Sequence, residues 1–444
     1  MVFEAVTDNY TLRHESVVGV GGGMGKHLIW LLLVAVSSLV GCHDEEITFE
    51  VTMSGTQEVP PVKTEAMASG EVTLLIEKSH DDGFVNVTIN EVSAGDQPNK
   101  RGDEDSTYKD DDDDDGAGDE ERFLLSANID VSEVEGVLAA HIHQGAIGEN
   151  GPVAFEFVDN GDGTMSVEEV EITAEQADML QNDEWYINVH TEQTPSGEVR
   201  GQIVGGDTEI LAFVLSGRQE VPAVDTEATG NGYATVNTGT NAVNLKVVTT
   251  GVEDAVAAHI HEGEVGENGG VVVFLEQSAD DPSVWQTPDG ATLEVDVIEQ
   301  LLDGGHYVNV HTPDVPSGEL RGQIFPSTVT LFAFGLDGQQ EVPPVETDSS
   351  GDGYVWFDSQ TNLLSVLIYT TDLDDAVAAH VHEGEAGTNG GVIVELEPDG
   401  VSTWRSPGEV EIDEATAEKL LAAGHYLNVH TPDVPSGEVR GQIE

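Results

Sequence analysis

Three phrases recur along this chain in a fixed order, three times each, and that repetition restricts the fold more than any local signal does. The first is Gln57-Glu58-Val59-Pro60-Pro61, which returns at Gln219–Ala223 and Gln340–Pro344. The second is Ala140-His141-Ile142-His143-Gln144-Gly145, which returns as His259-Ile260-His261-Glu262-Gly263 and His380-Val381-His382-Glu383-Gly384. The third is Tyr186-Ile187-Asn188-Val189-His190-Thr191, followed by Pro195-Ser196-Gly197-Glu198-Val199-Arg200-Gly201-Gln202-Ile203. It returns between Tyr307 and Ile324 and between Tyr426 and Ile443.

From the second copy to the third the offset is 121 residues at both the first and second phrases, so each unit is the size of a domain. From the first copy to the second the offset is 162 at the first phrase and 118 at the second, a surplus of 44 residues. The surplus contains the acidic stretch Asp96–Glu121 with the run Asp110–Asp115. Such density of like charge without an apolar period predicts a disordered surface insertion over about 95–122, with loose divalent-cation capture as the other reading. A chain of 444 residues fits about three domains at roughly 150 each. The repeats place them at 47–204, 208–325 and 328–444. The linkers Gly205-Gly206-Asp207 and Pro326-Ser327 are short and leave little slack.

Residues Met24–Cys42 read as an address. Lys26 and His27 precede the apolar run Leu28–Val36, which is shorter than the about 20 residues of a membrane span. Leu39-Val40-Gly41-Cys42 then looks like a bacterial lipobox, with a small residue before a lipidated cysteine. The expectation is a signal peptide at 24–42, lipidation at Cys42, and a lipid-anchored exported protein of the outer membrane or cell surface. Residues 1–23 read as an over-extended start before Met24.

The formal net charge of −70 argues against a nucleic-acid partner, because a phosphate backbone needs a basic footprint. It argues equally against electrostatic docking on anionic lipid. The single cysteine excludes an intramolecular disulfide and thiolate-rich metal sites.

Within a repeat the signals are mainly strands. Tyr233–Val236 and Val243–Val248 alternate and are rich in β-branched residues, and Glu267-Asn268-Gly269-Gly270 reads as a turn. One helix per repeat is predicted, at Ala174–Gln181, Val295–Leu302 and Glu414–Ala423, the last capped by Asp413 and ended by Gly424. The predicted fold class is all-β: antiparallel sandwich-like or barrel-like domains, each with one short helix, in three tandem copies.

The ordered set Gln-Glu-Val-Pro, His-Ile-His-Glu-Gly, and Asn-Val-His-Thr with Pro-Ser-Gly-Glu-Val-Arg-Gly-Gln-Ile resembles the CHRD (chordin) domain, three times over. The resemblance implies a β-sandwich-like module outside the cell. In animals that module occurs in an antagonist of secreted growth factors, and no motif here encodes that ligand.

The histidines carry the most specific chemistry. On a strand His141 and His143 share a face while Ile142 takes the other, with Cα atoms roughly 7 Å apart. Asn188 and His190 likewise share a face. If the two strands are neighbours, His141, His143 and His190 form a three-histidine site. Its equivalents are His259, His261, His311 and His380, His382, His430. Imidazole suits zinc or copper. The competing reading is that these side chains hydrogen-bond backbone groups and hold strands together. His306 and His425 have the parity of the apolar residues and point away from the site. The His-Ile-His-Glu phrase is also similar to a short stretch of copper-zinc superoxide dismutase, but the further ligands of that enzyme are absent from each repeat.

Other signals are structural. Glu198 and Arg200 share a strand face and predict a cross-strand ion pair, of little energetic value at a surface. Gln-Glu-Val-Pro predicts a bend where the chain enters the domain, with Pro60 or Pro222 ending strand pairing. Asp159–Gly163 lacks the spacing of a calcium loop and reads as a hairpin turn. No nucleophile elbow, phosphate loop or dinucleotide fingerprint occurs. The function expected is a non-enzymatic surface lipoprotein, a binding or scaffold module for an extracellular protein or glycan. A histidine-site zinc- or copper-binding protein is the alternative, and a metalloenzyme the more distant one.

Overall fold

The computed structural model describes residues 44–64, 66–78, 121–252 and 254–444. The start 1–23, the signal peptide, Cys42 and the Asp110–Asp115 run lie outside the described residues. So does the expected insertion, apart from Glu121 and Arg122, which open a strand.

The first domain contains β1 (Glu45–Ser54), β2 (Met67–Lys78), β3 (Glu121–Asp130), β4 (Val137–Gln144), β5 (Val153–Glu156), β6 (Val158–Asp159), β7 (Thr164–Ile172), β8 (Trp185–Thr191) and β9 (Val199–Ile203). All pairings are antiparallel, in the order β5-β4-β8-β9-β1-β2-β3-β7-β6. Only Phe157 separates the edge strands β5 and β6, so the order closes on itself into a barrel. Closure removes the exposed edges that an open sheet of this length would present. The second domain repeats this order. In the third, the single strand Val392–Pro398 pairs with Ala378–Glu383 at one end and Thr403–Arg405 at the other. Of the sandwich-like and barrel-like forms expected, the barrel is the one found.

Alternation fills each barrel with one apolar set. In the first domain Val51, Met53, Leu74, Leu125, Ile142, Ile187 and Val189 form part of the core. Equivalent clusters fill the second and third domains. The turn Asn160–Gly163 joins β6 to β7 as a hairpin, as expected. The Gln-Glu-Val-Pro phrase follows β1 through a 3-10 turn, Gly55–Gln57, so it lies between β1 and β2 rather than at the domain entrance.

Helices α1 (Ala174–Gln181), α2 (Val295–Leu302) and α3 (Glu414–Leu421) each pack one face into the core of their barrel. Thr173 and Gln176 form a capping box on α1, and Asp413 accepts from the Thr416 N–H on α3. Spacing of three buries Ala177 with Leu180, Ile298 with Leu301, and Ala417 with Leu420. The end of α3 differs from expectation: it stops two residues short of Ala423, and Ala423 itself is left-handed at φ 57. Gly424 serves another purpose, because a Cβ there would lie 2.8 Å from the Lys419 carbonyl. Among the described residues no helix is long and apolar enough to cross a membrane.

Candidate metal centre

β4 carries His141 and His143, and β8 carries His190. The two strands are hydrogen-bonded neighbours, with Ala139 opposite His190 and His141 opposite Asn188. Ile142 and Val189 face the core and are fully buried. The three imidazoles therefore stand together on the opposite side, His141 and His190 half-buried and His143 buried. Ring centroids are 4.8 Å apart for His141 and His190, 5.7 Å for His141 and His143, and 6.3 Å for His143 and His190. One ligand nitrogen from each lies within 4.8 Å of the others, and the same holds for His259, His261, His311 and for His380, His382, His430.

Backbone carbonyls set which nitrogen faces the centre. Nδ1 of His143 lies 2.9 Å from the Gly151 carbonyl, and Nδ1 of His190 lies 3.1 Å from the Pro195 carbonyl. A carbonyl only accepts, so each Nδ1 carries the proton and each Nε2 keeps its lone pair. These two Nε2 atoms and Nδ1 of His141 are buried with no hydrogen-bond partner. Gly269 and Pro316 hold His261 and His311 in the same way, at 3.2 and 3.1 Å. Gly390 and Pro435 hold His382 and His430 at 3.1 and 3.2 Å. In these two domains the first histidine approaches the third directly: His259 Nδ1 lies 3.1 Å from His311 Nε2, and His380 Nδ1 lies 3.0 Å from His430 Nε2. A tetrahedral ion with metal–nitrogen bonds of about 2.0–2.1 Å holds its ligand nitrogens about 3.3 Å apart, close to those separations.

Electrostatics favour the neutral, ligating form. Burial, joined by the neighbouring imidazoles, lowers the pKa of His143, His190, His259 and His261 below the usual imidazole range. Burial does the same for His311, His380 and His382, and brings His430 down to about 4. An imidazole must be neutral to bind a metal, and a carbonyl holding its second nitrogen orients the ring. His306 and His425, expected to point away, are completely buried and stand outside the three sets.

Beneath the histidines lies a polar clasp. Tyr186 stacks on His143, and the Arg200 guanidinium covers the other face of the tyrosine at 3.6 Å. Arg200 donates to the carbonyls of Ala146 and Glu149 and to Gln202 Oε1. This corrects the expected cross-strand surface ion pair. Arg200 is completely buried, and Glu198 accepts instead from Thr64 and Thr191 at 2.7 and 2.5 Å. The loop carrying Ala146 and Glu149 folds over this outer face of the strand, so shared parity does not mean shared solvent. Glu58 is buried as well and accepts from Asn188 Nδ2 at 3.1 Å. Burial pushes its carboxyl up to about 7, against the pull of Arg200 and Asn188. Gly197, at φ 132, leaves room for that pair, since any Cβ would collide with both.

Sequence reasoning missed Glu58, Tyr186 and Arg200 as parts of the site. Their signal is that each recurs in place, as Glu220, Tyr307, Arg321 and as Glu341, Tyr426, Arg440.

The family model of the CHRD domain matches residues 49–203, 211–324 and 332–443, nearly the whole of the three barrels. Chordin of Xenopus laevis is 27% identical over 276 residues, 58% of this chain and 29% of that protein. Chordin of Danio rerio is 28% identical over 281 residues, again 58% of this chain and 29% of its own length. The chain thus spans under a third of the length of these relatives. With all three repeats matched in register, the chain belongs to the CHRD domain family.

Proposed function

We propose that the protein is a non-enzymatic binding or scaffold protein of the cell exterior, with one site per domain for a divalent transition metal, zinc or copper. The observation that supports it best is the threefold convergence of one nitrogen from each of three histidines, in domains with no other metal-ligand cluster among the described residues; in the first domain all three of those nitrogens are buried and unpartnered. Three nitrogen ligands with carbonyls behind them suit zinc or copper. The strands that carry them are rigid and paired on both sides, which suits holding an ion or a ligand in place more than turning over a substrate. The export reading rests on the residues Met24–Cys42, with a lipid anchor at Cys42 holding the domains at the membrane surface. The partner is then an extracellular protein or glycan.

The test is metal stoichiometry on the full chain. After loading with zinc and removing free metal, elemental analysis is expected to find three ions per chain, and two after His259→Ala with His261→Ala. Complete loss of metal from a chain with an unchanged circular dichroism spectrum would leave a scaffold without ions.

A further inference from the structure

At each of the two junctions the later barrel presents one face and the earlier barrel receives it. The receiving face of the first domain is the loop Ala146–Asn150 with the Glu58 carbonyl. Tyr233 donates its hydroxyl to that carbonyl at 3.0 Å, and its ring lies against Gly148, where a Cβ would come within 2.9 Å. Lys246, across the ladder from Tyr233, pairs with the Glu149 carboxylate. The second domain receives the third alike. Tyr354 donates to the Glu220 carbonyl at 3.3 Å and Tyr369 to the Gly266 carbonyl at 3.0 Å. Val265 and Phe325 cluster with Tyr354 and Leu367. These contacts bury Ile147, Gly148, Val265 and Gly266.

The receiving face exists a third time. Arg440 braces its loop through the carbonyls of Glu385 and Thr388, as Arg200 and Arg321 brace theirs. Asn389 donates to the Val342 carbonyl, as Asn150 does to Val59 and Asn268 to Val221. Here Ala386 and Gly387 are exposed, and a Cβ on Gly387 would meet nothing within 4 Å. Glu341, Pro344, Ala386, Gly387 and Arg440 line a groove of about 340 Å³.

Among the described residues a second copy of this chain offers no matching face. Its Tyr233 and Tyr354 faces are already engaged. Strand register puts Glu71 of the first domain where those tyrosines stand, and Asn128 where Lys246 and Leu367 stand. A carboxylate there would meet a carbonyl oxygen near the buried Glu341, on a chain of net charge −70. We propose that this third face is a docking surface for a further barrel of the same fold, outside the three described here, one presenting tyrosine at the Tyr354 position beside an apolar residue. The mismatch at Glu71 keeps copies of this chain from joining head to tail, the usual hazard of a heterologous contact.

The experiment is sedimentation velocity on the full chain. Glu71→Tyr with Asn128→Leu changes two exposed side chains and supplies the missing face. Wild type is expected to sediment as one species. The double variant is expected to form larger species that grow with concentration, and adding Ala386→Glu should return it to one species. The triple variant, with its own groove blocked, should still bind wild type one to one. A double variant that sediments as wild type with unchanged circular dichroism would overturn the proposal. So would association that survives Ala386→Glu, or wild type joining itself through Ala386.

Discussion

The ring of Tyr186 lies stacked on His143, 4.8 Å between centroids and 11° between planes, and the same pair recurs as Tyr307 on His261 and Tyr426 on His382. The tyrosine hydroxyl accepts from the backbone N–H of Gly151, whose carbonyl in turn holds His143. One aromatic residue thus fixes both a ligand ring and the loop that orients it. Tyr307→Phe, which loses the acceptor for the Gly269 N–H, is expected to weaken zinc at the second site by roughly 10-fold. Competition with a chromophoric chelator reads the change, and three ions should still bind at saturating zinc.

Arg321 is the buried brace of the second domain. It donates to the carbonyls of Glu264 and Glu267 and to Gln323, and it covers Tyr307 at 3.5 Å. Arg321→Met keeps most of the volume and strands those acceptors. The expected cost is about 3 kcal/mol, from several buried groups left unpaired. Urea denaturation followed by amide exchange in the loop Glu264–Glu267 checks both the loss and its place.

The clasp glutamates make stability depend on pH. Burial raises Glu58 and Glu220 from 4.5 to about 7, with Arg200 or Arg321 and Asn188 or Asn309 facing them and pulling the other way. A carboxyl raised on folding binds its proton more tightly in the native state. Its stabilising contribution is therefore full below the unfolded value of 4.5 and is lost as pH rises through about 7. Asn188 Oδ1 and Glu58 Oε1 are both buried without a partner. Glu58→Gln together with Glu220→Gln should flatten the fall in melting temperature between these limits. An unchanged pH profile would show that these carboxyls do not titrate there.

Domain coupling rests partly on one hydroxyl per junction. Tyr354→Phe removes the bond to the buried Glu220 carbonyl, at an expected cost of about 1 kcal/mol. Cleavage in the Pro326-Ser327 linker by a sparing dose of protease should speed up, while each barrel keeps its own circular dichroism signature.

Much of this architecture is legible in the sequence because the repeat multiplies weak signals. His141-Ile142-His143 shows which face is core and which is polar, since a strand's period of two leaves no choice. The α1 boundaries follow from the Thr173 cap. The fate of Arg200 is not legible, because alternation places it beside Glu198 without revealing what covers them. That depends on Thr64, which bonds Glu198 from 134 residues away, and on the loop at Ala146. Closure of the barrel is equally hidden, as it turns on Phe157 joining two short strands that pair on opposite sides. The left-handed residue at the end of α3 is Ala423, one before the glycine, and Asp183 is left-handed at the same place after α1.

Zinc K-edge X-ray absorption on the fully loaded chain tests the three-histidine centre most directly. Three imidazole nitrogens per ion at about 2.0–2.1 Å are expected, with the remaining position taken by a lighter oxygen or nitrogen donor. An ion shell of oxygen alone, with no imidazole scattering, would place the metal on the acidic surface and contradict a centre built from His141, His143 and His190.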